Sequence, residues 1–180
     1  AGFALAAMLL CMGLALNFRL NSDAIFQYAE QASWIPALGI SYSLGADGIG
    51  MSMLLLTGIV IFTGCLASWR VEHRPREFFA LLLVLVTGVF GVFASRDLFL
   101  FFLFYEMAVL PMYLLIGIWG TGRKEYSAMK LTLYLLLGSA FVLVGILALY
   151  FASGAVPLSF DMPVLQKAAY TPGFQKFFFP

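Results

Sequence analysis

The chain has 180 residues, 63% of them hydrophobic and only 11% charged, with a formal net charge of +1 and a mean hydropathy of +0.98. Soluble domains average about 45–50% apolar and about 25% charged residues, so these proportions exclude an ordinary water-soluble globule. A near-neutral chain also lacks the basic footprint that a nucleic-acid partner requires, and lipid is the solvent that fits.

A bilayer core of about 30 Å takes about 20 apolar residues in helical form, with every backbone group paired internally. On that rule the sequence predicts an all-α transmembrane helix bundle of about five spans in one membrane domain, at 1–18, 48–69, 78–95, 97–119 and 127–152. The sequence opens on Ala1, with no initiating Met and no basic leader, so Ala1–Leu16 reads as a helix entered mid-sequence, and Phe177–Pro180 reads as the start of another apolar run. The expectation is a piece of a longer chain. Residues 19–47 are polar and contain Arg19, Asp23, Glu30, Pro36, Gly39, Gly45 and Asp47, which predicts an external loop with Trp34 as an interface anchor. Within it, Ile40–Leu44 alternates apolar and polar residues, as a short strand or half of a hairpin does. Asp47 is placed to cap the second span.

The loop 70–77 carries Arg70, Arg74 and Arg76, and the loop near 123–125 carries Arg123 and Lys124. The Lys/Arg bias puts both loops on the cytoplasmic side of the cell inner membrane, with the 19–47 loop opposite. Thr87, Gly91 and Ser95 read as a small-residue packing face on the third span, and Gly64 and Ser68 as one on the second. Cys11 and Cys65 lie in apolar stretches and read as small packing residues. Residues 153–180 read as a tail with Lys167 and Lys176.

Two charges depart from the loops. Glu106 stands nine positions past Asp97, about 13 Å along a helix at 1.5 Å per residue, close to mid-membrane. An ionisable group there costs about 3 kcal/mol or more, and such groups mark ion or proton pathways; the structural alternative is a neutral, hydrogen-bonded acid. Pro111, five residues on, removes the partner of the Met107 carbonyl. A carboxyl, that freed carbonyl and the Tyr113 phenol, two turns from Glu106 on one face, make a candidate proton relay; a kink serving only packing is the alternative. Lys130 lies a turn inside the fifth span, either snorkelling to the interface or on a polar track with Tyr134. Its depth is too shallow for a direct ion pair with Glu106. Asp97 reads as an N-cap, Arg96 as a headgroup anchor and His73 as a solvated loop residue. No nucleotide-binding loop, metal-ligand cluster or nucleophile–base pair is present.

The run 102–120, FLFYEMAVLPMYLLIGIWG, resembles the fifth membrane helix of the chain M, or subunit 4-like, branch of the antiporter-like membrane subunits of NADH–quinone oxidoreductase (respiratory complex I). ISYSLGADGIGMSMLLLTG (40–58), EFFALLLVL (77–85) and AMKLTLYLLLGSAFVLVGILAL (128–149) resemble that family's hairpin and third helix, fourth helix and sixth helix in order. The resemblance implies most of the first half of an inverted-repeat antiporter-like fold, its first span being the family's second helix. It implies an essential role in ion translocation for Glu106, with the partner lysine on a later helix beyond this sequence. Lys130 matches a lysine often found in the sixth helix of bacterial members. The function implied is a proton-translocating membrane subunit, part of a translocase enzyme but with no redox site of its own. NADH, FMN, iron–sulfur clusters and quinone belong to other subunits, and the neighbours are other antiporter-like subunits and the bilayer. Two alternatives stand beside it: a multisubunit cation/proton antiporter or membrane-bound hydrogenase, and a non-transporting scaffold.

Overall fold

The computed structural model describes residues 2–18, 26–154 and 158–178. Five apolar helices dominate: α1 (Gly2–Asn17), α2 (Gly48–Ala67), α3 (Pro75–Ala94), α4 (Leu98–Trp119) and α5 (Lys124–Ala152). Four of them, α2 with its short 3-10 extension through Arg70, α3, α4 and α5, are long and apolar enough to cross a membrane, and α1 is an apolar helix of 16 residues. They are apolar on nearly every side. Leu10, Phe141 and Phe151 are each about 70% exposed, an arrangement stable only where the surroundings are also apolar. Packing follows chain order, α1 on α2, α2 on α3, α3 on α4 and α4 on α5.

The close approaches use glycines. A Cβ on Gly91 would run into the Phe104 ring of α4, and one on Gly88 would stand 3.0 Å from Ala108. Gly58 of α2 similarly admits Met8 and Cys11 of α1. The expected small-residue faces are therefore corrected. Gly91 and Ser95 are buried, but Thr87 turns outward and bonds its own Leu83 carbonyl, and Gly64 faces open space. On a helix apolar all round, spacing does not say which stripe meets a neighbour. Cys11 and Cys65 are free and buried.

Between α1 and α2 the expected external loop folds as an antiparallel hairpin, β1 (Gln27–Ile35) and β2 (Ile40–Ala46), with Glu30 opposite Leu44 and Ala32 opposite Tyr42. Arg19 and Asp23 lie outside the described residues. Gly39, at φ +67°, turns the chain into β2, and its missing Cβ is where the Leu158 carbonyl lies. That contact belongs to a second correction. Residues expected as a tail pack back onto the bundle and add two short helices, α6 (Met162–Gln166) and α7 (Pro172–Phe178). Phe160 stacks on Tyr150 of α5 at 4.1 Å, and both join Ile40 and Ile146 in a core flanked by Leu98, Phe99 and Phe102. The Tyr150 hydroxyl donates to the Leu38 carbonyl at 3.0 Å. A smaller core at the other end gathers Ala4, Ile61 and Cys65 against Phe79, Leu82 and Val86.

Candidate functional site

Helix α4 starts from a buried cap. Asp97 is fully buried, and its Oδ1 accepts from the backbone N–H groups of Phe99 (2.9 Å) and Leu100 (3.2 Å). Its Oδ2 accepts from the backbone N–H of Ser41 at 3.0 Å and the Ser41 hydroxyl at 3.3 Å. One carboxylate thus satisfies donors at the helix start and fastens β2 to it. Asp47 caps α2 the same way, accepting from the Gly50 N–H at 2.6 Å. Arg96, expected as a headgroup anchor, is half-buried at the hairpin end. Its guanidinium lies 4.7 Å from the centre of the Phe26 ring, with Nε buried.

Glu106 lies near the middle of α4, eight residues after the first, about 12 Å from the helix start. Its Oε1 is shielded from solvent and has no hydrogen-bond partner among the described residues. In a water-poor interior an unpartnered carboxyl oxygen costs several times what a satisfied one does. Helical spacing puts Leu103, Glu106, Leu110 and Tyr113 on one stripe. Leu110 and Tyr113 on that stripe are 64% and 41% exposed. Glu106 is half-buried, and a cavity of about 220 Å³ lies round the helix from it, lined by Val89, Val92, Phe93, Tyr105, Ala108 and neighbours, and not by Glu106 itself. Pro111 is fully buried within the helix, one turn beyond the Met107 carbonyl whose donor it removes.

Lys130 is exposed on α5, six residues after its start. Its Nζ lies 5.9 Å from the Tyr126 ring centre and 6.0 Å from that of Tyr134, within the range of cation–π attraction, in a shallow cavity of about 370 Å³ completed by Met129 and Leu133. No ion pair joins it to Glu106; among the described residues the ion pair is Arg74 with Glu77 at 2.7 Å. Glu106, Tyr113 and Lys130 are thus not drawn into one cluster. His73 is exposed, and its carbonyl accepts from the Trp119 indole N–H at 2.7 Å, tying the 70–75 connection to the end of α4.

Asp161 escaped the reading of the sequence. It lies across from Asp97 in a short antiparallel pairing, with Oδ1 buried and unpartnered. Burial pushes its carboxyl above the usual range, Arg96 opposes that rise and Asp97 adds to it. Asp161 followed at once by Met162-Pro163 has the form of a helix start, the signal that was present.

Residues 95–177 match the family model described as NADH:quinone oxidoreductase/Mrp antiporter, TM. The chain is 42% identical over 158 residues to NAD(P)H-quinone oxidoreductase chain 4 of Gloeobacter violaceus, covering 88% of this chain and 30% of the relative. With chain 4 of a Synechococcus species it shares 38% identity over 174 residues, 97% of this chain and 31% of the relative. Its fold matches a chain of respiratory complex I from Thermus thermophilus at a TM-score of 0.85 and 27% identity, covering 98% of this chain and 36% of that one. The chain belongs to the antiporter-like membrane subunit family. It spans about a third of the length of these relatives. A chain of the Mrp complex from a Dietzia species shares the fold, with a TM-score of 0.73 at 17% identity over 97% of this chain and 19% of that one. As a member of this family with four helices of spanning length, the protein is a multi-pass membrane protein.

Proposed function

We propose that the chain serves as a proton-translocating membrane subunit of an NAD(P)H–quinone oxidoreductase, with Glu106 as the group that takes up and gives off the proton. Electron transfer takes place in other subunits, which hold the NADH, FMN, iron–sulfur and quinone sites. Neighbouring antiporter-like subunits flank this one. The observation that carries the reading is the shielded, unpartnered Oε1 at mid-helix. A carboxyl's hold on its proton follows the charge brought near it, so a moving cation is the switch that such a pump requires. Pro111 leaves the Met107 carbonyl free to bind water one residue from the acid, and Tyr113 continues that stripe. Lys130, held between two tyrosines on α5, supplies a polar step nearer the Arg-rich loops. Those loops face the cytoplasm and the hairpin end faces outward, by the Lys/Arg bias.

In the complete complex in sealed vesicles, Glu106→Gln keeps shape and loses the titrating group. Assembly and quinone reduction by uncoupled electron transfer persist, and proton translocation falls by about a hundredfold, the scale of a lost acid–base group. Pumping at the unsubstituted rate rejects the reading. A second reading, a subunit of a multisubunit cation/proton antiporter, is favoured by the fold shared with the Dietzia Mrp chain. Sodium-dependent transport in vesicles without NADH selects it.

A further inference from the structure

Four buried side-chain polar atoms among the described residues lack a hydrogen-bond partner, and three of them, Ser43 Oγ, Arg96 Nε and Asp161 Oδ1, belong to one junction at the hairpin end. The backbone brings them together. The Arg96 N–H donates to the Ser43 carbonyl at 2.9 Å, the Met162 N–H to the Arg96 carbonyl at 2.9 Å, and the Leu98 N–H to the Phe160 carbonyl at 2.9 Å. Asp97 and Asp161 stand opposite each other in that pairing, and opposite residues of an antiparallel pair project to the same side. On β2, Ser41, Ser43 and Gly45 share one face. Ser41 reaches Asp97, and a Cβ on Gly45 would stand 2.6 Å from Arg96 Cδ. The wholly buried Ser43 stands on that face of β2 between the position that reaches Asp97 and the position that meets Arg96. Both oxygens of Asp97 are already committed to four donors. What remains is one guanidinium donor, one hydroxyl and one carboxyl acceptor. That is the partner set of a buried water, which typically makes about three hydrogen bonds to otherwise unsatisfied groups.

We propose that Ser43, Arg96 and Asp161 hold a buried water among them, and that Asp161 exchanges protons through it with the aqueous phase at the hairpin end. The inference rests on the proton-translocating reading and adds a second titrating station to Glu106. The water accepts from Arg96 Nε–H and exchanges a hydrogen bond with Ser43. It passes a proton to Oδ1 as it takes one from solvent, and release runs in reverse. Arg96 compensates the carboxylate form, whereas burial and the neighbouring Asp97 favour the acid. From β2 the facing groups are the neutral Ser41 and Ser43. Between the two acids α4 presents Phe99 and Phe102 to the Tyr150–Phe160 core. That apolar layer separates Asp161 from Glu106, so the station serves the hairpin-end phase.

The test is infrared difference spectroscopy of the complete complex in vesicles, between two pH values imposed on the hairpin side. A protonated-carboxyl band appears at the lower pH, is missing in Asp161→Asn, moves in Ser43→Ala and stays in Glu106→Gln. A band unchanged by Asp161→Asn, or absent altogether, overturns the proposal. Where Asp161→Asn fails to assemble, Asp161→Glu must shift the band, and no shift overturns it equally. Pumping by Glu106→Gln is read separately, so failure of the Glu106 reading and failure of this one are told apart.

Discussion

Asp97 joins three parts of the molecule, and its removal has a magnitude that the structure supplies. Asp97→Ala deletes an N-cap, worth about 1 kcal/mol. It also deletes the acceptor of the Ser41 backbone N–H and hydroxyl, where a bond to a charged group is worth about 1.5–3 kcal/mol, less at the 3.3 Å of the hydroxyl. The sum is about 3–5 kcal/mol, focused on the seat of β2 and the first turn of α4. Asp97→Asn keeps one oxygen for the cap but turns an amide toward the Ser41 donors, costing about 1–3 kcal/mol. Ser41→Ala loses only the longest bond and costs less than about 1 kcal/mol.

Hydrogen exchange on the assembled complex reads the effect locally. At about 1.4 kcal/mol per tenfold, Asp97→Ala speeds exchange of the Ser41, Phe99 and Leu100 amides by about a hundredfold or more. Adding Ser41→Ala to Asp97→Ala changes nothing further, because the two groups share one interaction. Protection of the Ser41 amide left intact in Asp97→Ala, or Ser41→Ala as damaging as Asp97→Ala, refutes the reasoning.

Gly91→Ala sets a Cβ against the Phe104 ring and lowers the thermal midpoint of the purified complex through about 1–3 kcal/mol of overpacking. Gly64→Ala, into open space, leaves it unchanged or raises it, since alanine favours helix by about 1 kcal/mol over glycine. Tyr150→Phe keeps the stack on Phe160 and loses the bond to the Leu38 carbonyl, a cost of about 1 kcal/mol seen as faster exchange of the Gly39 and Phe160 amides. Pro111→Ala restores a donor to the Met107 carbonyl; assembly is kept or improved while proton translocation in vesicles falls. The raised pKa of Asp161 means that the folded state binds more protons than the unfolded one. Its contribution to stability is therefore greatest at acid pH and is lost as pH rises from the ordinary carboxylate value through the folded one. Asp161→Asn flattens that slope in thermal scans taken across acid pH.

The parts legible in the sequence are those with local causes. An apolar run of spanning length must pair its backbone within itself, so the helices could be read from 48 onward without any partner in view. Asp47 and Asp97 cap by reaching two or three residues ahead, a distance within the reading window. The hairpin was half legible, because Ile40–Leu44 alternates whereas most of β1 is exposed on both faces and carries no apolar alternation. The station at Asp161 was not legible at all. It is made by pairing 160–162 with 96–98, more than sixty positions apart, and by Ser43, more than fifty positions before Arg96, none of which periodicity reports. Glu106 announced itself by chemistry, as a charge where charge is costly. Which way it faces depended on packing that an all-apolar helix does not encode.

The two ends of α4 are held by different means, and the difference bears on where the acid can respond. At its start, a buried carboxylate and the Leu98–Phe160 backbone bond join the helix to β2 and to the segment before α6. At its finish, the Trp119 indole N–H donates to the exposed His73 carbonyl at 2.7 Å. Buried bonds break only with a full desolvation penalty, whereas exposed ones exchange with water at little net cost. Pro111 stands between, with one rung of the helix ladder removed. Helix motion is therefore easiest on the Trp119 side of Pro111, and Glu106 sits on the fixed side. Under the role proposed for Glu106, an acid on the fixed half of the helix keeps its own position, and the switching charge has to be brought to it by what moves.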